Sequence, residues 1–133
     1  MFILDMTYIR FKPRHGELLE ELILTKSWRD TIDLIASHAL GRYLSLYPEQ
    51  IHGLTERWIT SSSFWLQRSA ILFQLRYKQQ TNQELLFQLI RRCVGSEEFC
   101  IHKAIRWALR EYAKSNRIAV EQFVATTELA PLK

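Results

Sequence analysis

Glycine and proline are scarce in this chain, four and three of 133 residues. So little punctuation excludes a fold of many short strands joined by tight turns and favours long helices. Cysteine is scarcer still. Cys93 and Cys100 are the only two, without Cys-x-x-Cys spacing, so buried or inert thiols are a simpler reading than a redox role. The four histidines, His15, His38, His52 and His102, form no His-Glu-x-x-His or similar ligand pair, and neither a metal nor another cofactor is expected. No apolar run approaches the roughly 18 residues a membrane helix needs. The apolar opening MFILDM is interrupted by Asp5 and no basic region precedes it, which speaks against a signal peptide. The expectation is a cytoplasmic protein without a membrane partner.

What is present fits one globular domain over residues 1–133, with 47% hydrophobic and 24% charged residues. A chain of this length buries roughly two thirds of its unfolded surface. A net charge of +4 suits an anionic partner without identifying it.

Hydrophobic spacing predicts a helix over ELLEELILT, Glu17 to Thr25. Ser27, with Asp30 three residues on, predicts a capped helix through about Ala39, and Gly41 predicts a break or bend. Pro48 opens a further helix through about Ile59. Ser62 or Ser63 is placed to cap the helical stretch FWLQRSAILFQLRYKQQ. Thr81 with Glu84 reads as a second capping box, and Gly95 ends the helix it opens. Ser96 leads a helix of about five turns, and IAVEQFVATTE is the last. Some seven helices joined by short turns predict an all-α fold of stacked antiparallel helix pairs. Asp33, Arg68 and Trp107 lie 35 and 39 residues apart, the scale of a two-helix solenoid repeat, although residue-level self-similarity is weak.

Three features have no ready structural explanation. Asp33 lies too far into its helix to serve the first turn, beside Ile32, Leu34 and Ile35. It is either a solvated or ion-paired carboxylate, or one positioned to face developing positive charge or orient a water. Arg68 sits among apolar neighbours, and a buried guanidinium needs a partner. Asp33, Glu56 or solvent are the structural alternatives, and a phosphate clamp is the functional one. Lys103, Trp107, Arg110 and Lys114 form one helical stripe, opposite a packing face of Ile101, Ala104, Ile105, Ala108, Leu109 and Tyr112. Cations flanking a tryptophan suit a nucleic-acid backbone. An ordinary charged face with a packed Trp reads equally well.

KSWRDTID (Lys26 to Asp33), WLQRSAILFQLRYKQQT (Trp65 to Thr81) and IHKAIRWALREYAKSN (Ile101 to Asn116) together resemble the three characteristic segments of the AlkD-type DNA alkylation repair family. The resemblance runs from about Leu22 to Pro131. It implies a HEAT-like α-solenoid that hydrolyses the N-glycosidic bond of cationic N-alkylated purines, such as 3-methyladenine and 7-methylguanine, in duplex DNA. Asp33 falls on the family's catalytic aspartate, Arg68 on the arginine that contacts the DNA backbone, and Trp107 on the tryptophan against the lesion's deoxyribose. Lys103, Arg110 and Lys114 join Arg68 as expected backbone contacts. The family is thought to leave its lesion stacked rather than extrude it.

The sequence departs from that pattern in two ways. Arg29 stands where a second aromatic usually precedes the Asp-Thr, with Trp28 retained beside it. The loss of one such contact costs roughly 1–3 kcal/mol of lesion engagement, while Arg29 offers a phosphate contact or a partner for Asp33. Arg106 stands where the family usually has Gly. Only 27 residues precede Trp28, fewer than in the family, which reads as an N-terminally shortened member or a fragment. A solenoid without its end repeats exposes an apolar face, and self-association there is one expectation. The alternatives to a glycosylase are therefore a non-catalytic HEAT-like DNA-binding module and a degenerate family fragment.

Overall fold

The computed structural model describes residues 12–25 and 35–127. Among them the chain is all-helical and solenoid-like, with seven α-helices and no strand. They are α1 (His15–Thr25), α2 (Gly41–Leu46), α3 (Ile51–Ile59), α4 (Phe64–Leu72), α5 (Gln83–Cys93), α6 (Phe99–Ala113) and α7 (Arg117–Thr126). A π-helical turn, Ile35–Leu40, runs straight into α2, so the chain stays helical through Gly41 instead of breaking there. Pro48 opens a short 3₁₀ turn, Pro48–Gln50, that leads into α3, as its fixed φ and missing N–H favour. The expected Ser27 cap lies outside the described residues.

The core is built around α4, which packs on α1, α3, α5, α6 and the π-turn. Leu66, Arg68, Ser69, Ala70, Ile71 and Leu72 are all buried, the pattern of a helix enclosed on most sides. The outer helices bury one stripe each. In α5 that stripe is Leu86, Phe87, Leu89, Ile90 and Cys93, the i, i+3, i+4, i+7 spacing of an amphipathic helix. Phe87 stacks on Phe123 of α7 at 4.2 Å between centroids, and Arg91 lies 5.0 Å above that Phe123 ring. An Arg92–Glu56 ion pair fastens α5 to α3, which removes Glu56 from the candidate partners of Arg68.

Three local expectations are corrected. The stretch Phe64 to Gln80 is not one helix. The α-helix stops at Leu72, turns follow, and a 3₁₀ turn, Lys78–Gln80, precedes α5. Gln74 is buried in this connection and binds the backbone of Asn82, accepting from its N–H at 2.7 Å. The cap of α5 is Asn82, whose side chain accepts from the Leu85 N–H at 3.1 Å, and not Thr81. Ser63 occupies the N-cap of α4 without a side-chain cap bond; Ser61 Oγ accepts from the Ser63 N–H instead.

Gly16 shows how tightly the first helix is set. A Cβ there would lie 2.9 Å from the Tyr43 hydroxyl and 3.1 Å from its ring. Tyr43 has no room to retreat: it is fully buried and its hydroxyl meets the Pro13 carbonyl and the Gln50 side chain. Gly16→Ala is therefore expected to lower stability by about 1–3 kcal/mol. At Gly53 an added Cβ meets nothing within 4 Å, and Gly53→Ala should gain roughly 0.5–1 kcal/mol from helix propensity. Urea unfolding of the two variants checks the opposite signs.

Candidate functional site

The exposed stripe of α6 is the best-defined part of the site. Ile101, Ala104, Ile105, Ala108, Leu109 and Tyr112 are buried, as the sequence pattern requires. The remaining face carries Lys103 and Arg110, both exposed, on either side of the half-buried Trp107. Trp107 packs one side against the core and keeps the rest of its ring available. Lys103 Nζ sits 5.6 Å over the Phe99 ring, a cation–π contact that leaves the ammonium in solvent. Lys114 is bound to Glu111 at 2.9 Å, so its charge is partly offset. None of the ion pairs among the described residues includes Lys103 or Arg110.

Arg68 projects from α4 toward this helix. It is only 3% exposed, and its Nη1 donates to the Cys100 carbonyl in the first turn of α6. Seven residues separate Cys100 from Trp107, so the guanidinium meets α6 about two turns, roughly 10 Å, from the tryptophan on the same helical face. The bond also fixes α4 and α6 against each other. Burial, more than any other influence, raises the Cys100 thiol, with the Arg68 charge opposing it. Burial pushes Cys93 up to about 11. Both cysteines are free and are thiols at neutral pH.

The structure thus brings Arg68 and the α6 stripe onto adjoining helices. Asp33, Trp28 and Arg29 lie outside the described residues. Among those that are described, no three His, Cys, Asp or Glu side chains gather as a metal site would require, and no helix is long and apolar enough to cross a membrane.

Two features carried no signal in the sequence. His102 is buried, and its Nε2 lies 2.6 Å from the Ser96 carbonyl, which makes that nitrogen the donor. It holds the loop before α6 and thereby the start of the stripe. A separate groove gathers His38, Arg42 and Arg76 from two segments, residues that share no helix and so form no periodic pattern.

Comparison with known proteins places the chain in a family. The profile of a family described as DNA alkylation repair enzyme matches residues 1–133. Among solved structures, a predicted DNA alkylation repair enzyme from Enterococcus faecalis is 32% identical, with a TM-score of 0.83. The match covers 92% of this chain and 57% of that one, so the chain spans little more than half of that relative's length. Comparison with curated proteins found no match. A profile that matches from end to end and a shared helical fold at that identity have one consequence: the chain belongs to the DNA alkylation repair enzyme family.

Proposed function

We propose that the protein is a DNA glycosylase that hydrolyses the N-glycosidic bond of cationic N-alkylated purines, 3-methyladenine and 7-methylguanine among them, in duplex DNA. The observation that carries this reading is the half-buried Trp107 between exposed Lys103 and Arg110 on one face of α6. An aromatic edge between two cations matches a deoxyribose between two phosphates, and family membership gives the surface its substrate class.

In this reading the alkylated purine, already positively charged, is a good leaving group. The C1′–N bond breaks with its electron pair going to the purine, which leaves as a neutral base. The sugar becomes oxocarbenium-like. The Asp33 carboxylate stabilises that charge and orients a water, whose oxygen bonds to C1′ while its proton passes to the carboxylate and then to solvent. Trp107, with Trp28 and Arg29, holds the lesion's sugar. Lys103, Arg110 and Lys114 hold the backbone. The buried position of Arg68 makes its charge act from beneath the surface, with Nη1 held on the Cys100 carbonyl. A surface stripe suits a lesion approached along the backbone better than one extruded into a deep pocket.

The test is release of 3-methyladenine and 7-methylguanine from methylated duplex DNA by the purified chain. Salt-sensitive duplex binding without any release would favour a non-catalytic DNA-binding module instead.

A further inference from the structure

A groove of about 750 Å³ opens between the segment formed by the π-turn and α2 and the connection that follows α4. His38 and Arg42 line it from the first segment, Arg76, Tyr77 and Gln80 from the second, and Ile51 adds apolar surface. Among the described residues, none of those expected to bind the lesion or the backbone lines it, and no carboxylate does either. The two sides are tied together, because the Tyr77 hydroxyl donates to the Gly41 carbonyl. The segments that carry the cations are thereby held on either side of one space.

The charged side chains among its described lining residues, Arg42 and Arg76, are both cationic. None of the ion pairs among the described residues includes Arg76. Burial, and after it the charge of Arg76, holds the His38 imidazole below its usual range, so the ring and the guanidinium share one local field. A fork of guanidinium donors matches phosphate oxygens. The volume lies within the range of pockets that bind small organic ligands, and the aromatic and aliphatic lining offers a surface for a base.

We propose that this groove is a second phosphate-binding site, in which Arg42 and Arg76 hold the phosphate of a nucleotide, with Gln80 and His38 as further hydrogen-bonding groups. The phosphate belongs either to a DNA strand running past the α6 stripe or to a free nucleotide. The site does not depend on glycosylase chemistry, since neither source needs an alkylated base.

Two arms of one experiment test it with the full chain. In the first, anisotropy of an undamaged labelled duplex is measured across a salt series for the wild type, Arg76→Gln and Arg117→Gln. Arg76 is exposed, so its replacement removes a charge without disturbing the core. Arg117 is paired with Glu121 on α7 and controls for net charge. A strand phosphate in the groove predicts a loss of about tenfold for Arg76→Gln, with the salt slope reduced by about 0.9 and Arg117→Gln little changed. In the second arm, the His38 imidazole resonances are followed while adenosine monophosphate or adenosine is added. A free nucleotide predicts saturable movement with the monophosphate alone, absent in Arg76→Gln. Either result upholds the site and identifies its source. Equal losses in the two arginine variants, or no loss, together with no monophosphate-specific movement of His38, overturn it. Base release enters neither readout, so failure of the glycosylase reading leaves the test intact.

Discussion

If the chain is the glycosylase proposed, Asp33→Asn is expected to lower release of alkylated bases by at least about a hundredfold and to leave duplex binding nearly unchanged. The substitution keeps the size of the side chain, exchanges one acceptor oxygen for a donor, and removes the negative charge that the proposed mechanism sets against the sugar. The charge matters most where positive charge develops, in the transition state, and little where an intact duplex merely docks. The expected fall in release is about 100- to 1,000-fold, the range seen when one electrostatic stabiliser of a transition state is lost. Measurement of both methylated purines in parallel makes the result sharper, because the two share a cationic ring and should fall together. Undiminished release by the variant would remove Asp33 from the chemistry. A parallel loss of duplex binding would instead give it a structural role.

Phe73→Ala has the largest expected effect on stability. Phe73 closes α4, is fully buried, and meets the Tyr77 ring edge-on at 5.9 Å. Truncation leaves a ring-sized cavity against the central helix, at a cost of about 3–5 kcal/mol. For a chain of this size that corresponds to a fall in Tm of roughly 10–20 °C. The surroundings have little freedom to collapse, since Tyr77 is held by the Gly41 carbonyl and the adjacent Gln74 by Asn82. Urea unfolding should show a lower midpoint at an unchanged slope. An unfolding free energy within about 1 kcal/mol of the wild type would mean that the connection after α4 repacks.

These two sites differ in how far the sequence revealed them. The α6 stripe was legible because helical spacing alone separates its buried face from Lys103, Trp107 and Arg110. The amphipathic face of α5 followed for the same reason. The end of α4 was not legible, because nothing local in FQLRYKQQ forbids a helix. It is ended by bonds to distant backbone: Tyr77 to Gly41, and Gln74 to Asn82. The same Gln74 contact fixes the Asn82 backbone, and the cap falls there instead of on Thr81. The continuation through Gly41 was hidden because a glycine that marks a helix end elsewhere is here carried through by a preceding π-turn. For Arg68 the sequence showed that a partner was needed. That partner includes a main-chain oxygen, which no residue type betrays.

Main-chain oxygens recur at the joints of the stack. Tyr43 donates to Pro13 over 30 residues, Arg68 to Cys100 over 32, and Tyr77 to Gly41 over 36. In each case the donor's identity matters and the acceptor's does not, for every amino acid brings the same carbonyl. Half of each joint is thereby exempt from selection on side chain, and successive helical layers can diverge at the receiving positions without loosening. Joints of this kind hold neighbouring helices in place while the letters at the receiving positions drift.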